Sequence, residues 1–212
     1  MSRPTAHLIH GFNVSDYGAS GIGQLAPHFE AAGFRASVVG YPWTWLLTLR
    51  ARNRAVADRL LEQLRPGDVM VAHSNGAAIA DLAAREYDRV DELGAIYINP
   101  ALPREQPVPP ALSWLHVLYA PSDQPVRWAS RLRRWTAWLP WQEHPWGAMG
   151  AYGYRGDDPR VTQANIDEQA ARPLKHGGVL QRPKVDRFGH AMATFAEWQN
   201  SMTRRGAAVQ GS

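Results

Sequence analysis

The chain contains no cysteine, which excludes disulfides, thiolate metal sites and a cysteine nucleophile. Lysine is nearly missing as well: Lys175 and Lys184 stand against 21 arginines, so the net charge of +4 is carried by arginine. Such a bias fits a GC-rich genome and gives no reason to expect a nucleic-acid partner. No run of about 18 apolar residues occurs, and the stretch from Met1 to His7 lacks a signal-peptide core. A soluble, unexported, cytoplasmic protein without integral membrane association is therefore expected. What is present is ordinary for a globular protein, with 45% hydrophobic and 20% charged residues in 212. One domain is expected over residues 1–202. The remaining 203–212 have no apolar periodicity and are expected to be disordered.

Short, continuous apolar runs recur at His7 to His10, Ser37 to Gly40, Val69 to Ala72, Gly94 to Ile98 and Leu115 to Tyr119. Continuous runs predict strands covered on both faces, hence a parallel sheet. Between them lie segments of helical spacing, clearest in Leu46, Leu49, Val56, Leu60 and Leu64, ending at Pro66-Gly67. The expected architecture is a doubly wound, mostly parallel six-stranded α/β sheet with helices on both faces. The sixth strand is expected near Val179 to Val185. In such a sheet the ligand site forms at the carboxyl ends of the strands, in the loops that follow them.

Those loops hold the chemistry. Ala72-His73-Ser74-Asn75-Gly76 follows an apolar run and reads as a strand-to-helix corner that exposes a serine, with small residues where the chain must pass close to its neighbours. A serine hydroxyl needs a base, and the base needs an acidic group to hold its tautomer. Asp123, in Ala120-Pro-Ser-Asp123, either starts a turn or caps the following helix, or serves as that acid; its place after the penultimate strand suits the acid. Asp157, Asp158 and Asp186 are the substitutes. Among the eight histidines, His7, His10 and His116 fall on predicted strands as packed groups, and His73 shapes the corner. His28, His144 and His176 show no metal-ligand spacing. His190, in Phe188-Gly-His190 before a final apolar helix, remains as the base. Backbone N–H groups of Phe12 and Asn75 are the expected oxyanion donors.

Leu8-Ile-His-Gly-Phe12, Ala72-His-Ser-Asn-Gly76, Ala120-Pro-Ser-Asp123 and Phe188-Gly-His190 together resemble the α/β-hydrolase superfamily across nearly the whole chain. The chain is most similar to its minimal lipase-like and small serine-hydrolase branches, with Ala72 in place of the usual first glycine. The resemblance implies a carboxylic ester hydrolase that uses Ser74, Asp123 and His190, needs no metal or organic cofactor, and takes a small-molecule or lipid ester. A thioesterase, amidase or acyltransferase on the same triad is the alternative, as is an inactive binding module. Gly-Phe-Asn-Val and Gly-Tyr-Arg-Gly-Asp-Asp-Pro look similar to small bacteriophage hydrolases, which would place the protein in the host cytoplasm or a virion.

Two features compete with this reading. Gly21-Ile-Gly23-Gln-Leu-Ala26 fits a dinucleotide fingerprint in form, but the second strand ends in Gly40-Tyr41-Pro42 without the acidic residue that a ribose needs. The stretch from Val126 to Tyr154 interleaves tryptophans and tyrosines with arginines. It reads as a basic-aromatic surface, as a helix packed on the sheet, or as part of a cap over Ser74 formed by an insertion at 126–177. Position favours the cap, with Trp146 lining the mouth opposite Tyr17 and Trp43.

Overall fold

The computed structural model describes residues 3–12, 14–42, 48–136 and 146–210. Trp43 lies outside them. Six strands, β1 (Thr5–Ile9), β2 (Arg35–Val39), β3 (Val69–His73), β4 (Leu93–Ile98), β5 (Leu112–Tyr119) and β6 (Val161–Asn165), form one sheet in the order β2-β1-β3-β4-β5-β6. Every neighbouring pair is parallel. The winding reverses between β1 and β3, so the loops after these two strands flank the crevice where a doubly wound sheet binds its ligand.

The helices are α1 (Ala26–Ala31), α2 (Leu49–Leu61), α3 (Gly76–Glu86), α4 (Gln124–Thr136), α5 (Met149–Tyr152), α6 (Ile166–Gln169) and α7 (Lys184–Gln210). Alternate strand residues enter two separate cores, as the two-residue period of a strand requires. Met70, Ala72, Ala95 and Tyr97 pack with Val56 and Leu60 of α2 and Ile79 of α3. Val69, Val71, Ile96 and Ile98 pack with Phe29 of α1 and with Val185, Phe188 and Met192 of α7. Each large apolar side chain buried in this way contributes about 1.5–3 kcal/mol.

Three expectations change. The sixth strand is not at 179–185, where a turn of 3-10 helix (Gly178–Leu180) leads into α7; it is β6. Its sequence, Val-Thr-Gln-Ala-Asn, lies at the sheet edge and is largely uncovered, so it lacks the apolar run that marks an interior strand. Val179 and Val185 are buried, but by helical turns against the sheet. The range 126–177 is not one insertion either, because β6 and α6 within it belong to the main layer; only the segment from α4 to α5 intervenes between β5 and the last strand. Finally, α7 continues to Gln210 through the segment expected to be disordered. Its packed first half supplies the nucleus from which the helix propagates.

Candidate active site

Ser74 lies between the last residue of β3 and the first turn of α3, at φ 55°. A non-glycine residue in this region costs roughly 1–3 kcal/mol and persists only where surroundings hold it. Here the Ser74 N–H donates to Ile98 O at 3.0 Å, and its carbonyl accepts from the N–H groups of Ala77 and Ala101, each at 3.1 Å. The corner also demands close approach. A Cβ on Gly76 would lie 2.5 Å from the Ile9 carbonyl oxygen and 2.6 Å from that of His10, which explains the glycine two residues beyond the serine. A Cβ on Gly11 would meet both the His73 ring and the Ser74 Cβ at 3.1 Å, so the loop after β1 runs directly over the serine.

Asp123 follows β5 and is completely buried. One carboxylate oxygen accepts the Val126 N–H at 3.0 Å, the capping contact that its sequence context allowed. The other is 2.8 Å from His176 Nδ1. A carboxylate can only accept, so Nδ1 carries the proton, and Nε2 is the ring nitrogen left to take up or give up another. The His176 side chain is 25% exposed over a carboxylate that is wholly enclosed. His176 is brought to the serine corner by His73, whose ring centroid lies 4.7 Å from its own. Gly177 lies over the same ring, and a Cβ there would come within 3.3 Å of it.

The His176 loop is tied to the Asp123 loop by Asp167 at the start of α6. Its carboxylate accepts from the Ser122 N–H and hydroxyl, both at 2.9 Å, and from the Leu174 N–H. The Ser122 hydroxyl oxygen in turn accepts the Lys175 N–H at 2.9 Å. Residues next to Asp123 and next to His176 thus share one anchor.

His190 is not part of this cluster. It sits inside α7 with an exposed side chain, and the Asp123 carboxylate faces His176 instead. The Gly-His pair before a final helix is in fact a helix crossing: a Cβ on Gly189 would come within 2.5 Å of the His28 ring of α1. Asp186, on the first turn of α7, is 3.6 Å from His28 Nε2. Asp157 and Asp158 lie beyond α5, where Asp158 pairs with Arg160 at 2.7 Å. The signal for His176 was His176-Gly-Gly, a histidine in a glycine-bearing loop before the last helix; it becomes visible only once β6 is recognised upstream.

The neighbouring histidines are held neutral. Burial pushes the His73 pKa well below its usual value, and repulsion from His176 and His10 adds to this. His10 is also shifted down by burial. Its Nδ1 donates to Gly11 O at 2.7 Å and its Nε2 accepts the Tyr41 N–H at 3.2 Å, while its ring stacks on Tyr41 at 3.8 Å.

Phe12 and Asn75 flank the serine on the expected loops. Trp146 touches both: its ring meets that of Phe12 edge to face at 5.7 Å, and its indole N–H donates to Asn75 Oδ1 at 3.2 Å. In the glycine-rich segment after Trp146, Gly147, Met149, Gly150, Ala151 and Gly153 are buried, whereas Tyr152 is exposed. Met149 N–H donates to Leu102 O and Gly150 N–H to Pro100 O, and Gly147 and Gly150 press against that post-β4 backbone too closely to allow a side chain. Tyr17 is 56% exposed and lies along Gly40 at the end of β2. Among the described residues, no group of three or more His, Asp or Glu is arranged to hold a metal ion, and no helix is long and apolar enough to cross a membrane.

No family profile and no curated protein matches this sequence. Solved structures do. A monoacylglycerol lipase from Paleococcus ferrophilus aligns over 94% of this chain and 97% of its own, with a TM-score of 0.55 at 12% identity. A pyrethroid hydrolase from Sphingobium faniae aligns over 92% and 98%, with a TM-score of 0.53 at 16% identity. An extracellular alpha/beta-hydrolase from a Paenibacillus species aligns over 90% and 98%, with a TM-score of 0.50 at 12% identity. The fold is that of the α/β hydrolases. Within that α/β-hydrolase fold, the serine corner, Asp123 and the His176 loop all lie at the carboxyl edge of the sheet. The likeness to bacteriophage hydrolases finds no support in these matches.

Proposed function

We propose that the protein is a serine hydrolase that cleaves a carboxylic ester through an acyl-enzyme, with Ser74 as nucleophile, His176 as base and Asp123 as the group that orients it. The observation that carries this reading is the 2.8 Å contact between buried Asp123 and His176 Nδ1, with the His176 ring against that of His73, the residue before the strained Ser74. Ser74 Oγ adds to the ester carbonyl carbon as its proton passes to His176 Nε2. The oxyanion is held by the N–H groups of Phe12 and Asn75. Collapse breaks the bond to the alcohol oxygen, which leaves with the proton from His176. His176 then takes a proton from water, whose oxygen attacks the acyl-enzyme; collapse releases the acid and returns the proton to Ser74. The lipase and the pyrethroid hydrolase among the structural matches support hydrolysis as the reaction class.

Treatment with a fluorophosphonate, followed by intact mass, tests the nucleophile. Wild type is expected to gain one adduct and Ser74→Ala none, and hydrolysis of a p-nitrophenyl ester should fall by at least about a thousandfold in Ser74→Ala at an unchanged Tm. An unlabelled wild type, or equal labelling of both proteins, would overturn the assignment.

A further inference from the structure

Asn53 lies on the buried stripe of α2, in register with Val56 and Leu60, where the helical period calls for an apolar residue. It is 7% exposed, and a polar side chain enclosed to that degree costs stability unless its groups are paired. Its pairing is reciprocal. Asn53 Nδ2 donates to Asn75 Oδ1 at 3.2 Å, and Asn75 Nδ2 donates to Asn53 Oδ1 at 2.9 Å. The indole N–H of Trp146 donates to the same Asn75 oxygen. An indole nitrogen can only donate, so this contact fixes which end of the Asn75 amide is the oxygen, and both of that oxygen's lone pairs are engaged. Asn75 is 1% exposed. Its side chain is therefore directed away from the reaction, into a clamp formed by α2 on one side and the segment before α5 on the other. The loop after β1 is braced as well: the Tyr41 hydroxyl lies 2.8 Å from His10 O and 2.9 Å from Gly11 O, immediately before Phe12, and is also a partner of the Asn75 side chain.

We propose that Asn53 is a positioning residue for transition-state stabilisation: with Trp146 it clamps the Asn75 side chain so that the Asn75 backbone N–H stays aimed at the oxyanion. The inference rests on the serine-hydrolase reading. Neither Asn53 nor the indole N–H touches the reacting atoms. Their effect comes from the strained Ser74–Asn75 turn, in which a rotation of one peptide plane would carry the donor out of line. Removing an oxyanion donor costs on the order of 100-fold in turnover, and displacing one costs less.

The test compares Asn53→Ala and Trp146→Phe with wild type by steady-state kinetics on p-nitrophenyl butyrate, by the rate of fluorophosphonate capture, and across pH. Asn53→Ala is expected to lose kcat by about tenfold or more with KM within about twofold, and to be phosphonylated more slowly. The pH midpoint of kcat/KM should not move, because the base is untouched. Trp146→Phe keeps a ring against Phe12 and loses only the donor, so a smaller loss in the same direction is expected; it decides the matter if Asn53→Ala does not fold. In the double variant the two losses should fall short of their product, since both act on one amide. Wild type labelled at Ser74 with both variants within twofold of its kcat would overturn the clamp and leave the hydrolase reading standing. So would a loss confined to KM or a displaced pH midpoint. A wild type that fails to label overturns both.

Discussion

The sheet carries a histidine–aspartate pair at each end, and the two do different things. At the amino end His7 of β1 meets Asp68, just before β3, at 3.1 Å, with side chains 2% and 3% exposed. At the carboxyl end His176 meets Asp123 at 2.8 Å, with side chains 25% and 0% exposed. Asp68 is saturated by structure: it also accepts the N–H groups of Thr5 at 2.6 Å and Arg65 at 2.9 Å, stitching β1 to the start of β3. The second ring nitrogen of His7 is buried and has no hydrogen-bond partner among the described residues. His176 instead holds its inner nitrogen on a buried carboxylate beneath a partly open ring, which packs against His73, the residue before the strained Ser74. The pair itself is therefore neutral as a clue. Which nitrogen is free, and what stands next to it, separates a structural tie from a candidate catalytic one.

The sharpest way to break this comparison is to remove each histidine. His176→Ala should lower ester hydrolysis by about a thousandfold or more with little change in Tm. His190→Ala should leave activity within twofold, and His7→Ala should leave kcat near wild type at a temperature where the fold persists. Full activity in His176→Ala would remove it from the mechanism. The next effect is on stability. Asp68→Ala strands the buried Thr5 N–H, the part-buried Arg65 N–H and His7, which should cost about 3 kcal/mol, or roughly 6–12 °C in Tm, with kcat preserved in the folded protein. Thermal denaturation followed by ellipticity measures it, and an unchanged Tm would show that the amino-end tie is dispensable.

The smallest expected effect is on pH dependence. His73 and His10 have lowered pKa values in the folded protein, chiefly through burial, whereas in the unfolded chain each titrates near about 6.5. Below that pH the unfolded chain binds protons that the folded one refuses, so stability is full above about 6.5 and declines as pH falls through that value. Tm measured from pH 8 to pH 5 should decrease, and His73→Gln should flatten the decline. A slope that His73→Gln leaves intact would assign the acid sensitivity to other groups.

The interior strands were legible because burial on both faces forces continuous apolar runs, as in Val69-Met70-Val71 and Ala95-Ile96-Tyr97. The serine corner was legible because Gly76 answers a backbone contact with β1 that tolerates no side chain. Edge strand β6 was not, since an uncovered strand needs no apolar run. That miss carried the histidine with it. With the last strand set too late in the chain, His190 occupied the post-strand position that belongs to His176, and Gly189, a helix-crossing glycine, resembled a loop glycine. Asn53 was equally hidden, because a polar residue on an apolar stripe has meaning only once its partner is known.

By itself, the amino-acid sequence determined the layered α/β class, the strained serine corner and the place of Asp123 after β5. These follow from local chemistry: periodic burial, a glycine where the chain must pass close, and an aspartate at a helix start. Only the tertiary structure decided that His176 faces Asp123, that His190 lies on a helix away from it, and that Asn53 and Trp146 grip Asn75. Those pairings join residues 53, 22 and 71 positions apart in the chain. A hydrogen bond at such separation depends on sheet order and on which loops cross, and no local propensity encodes either.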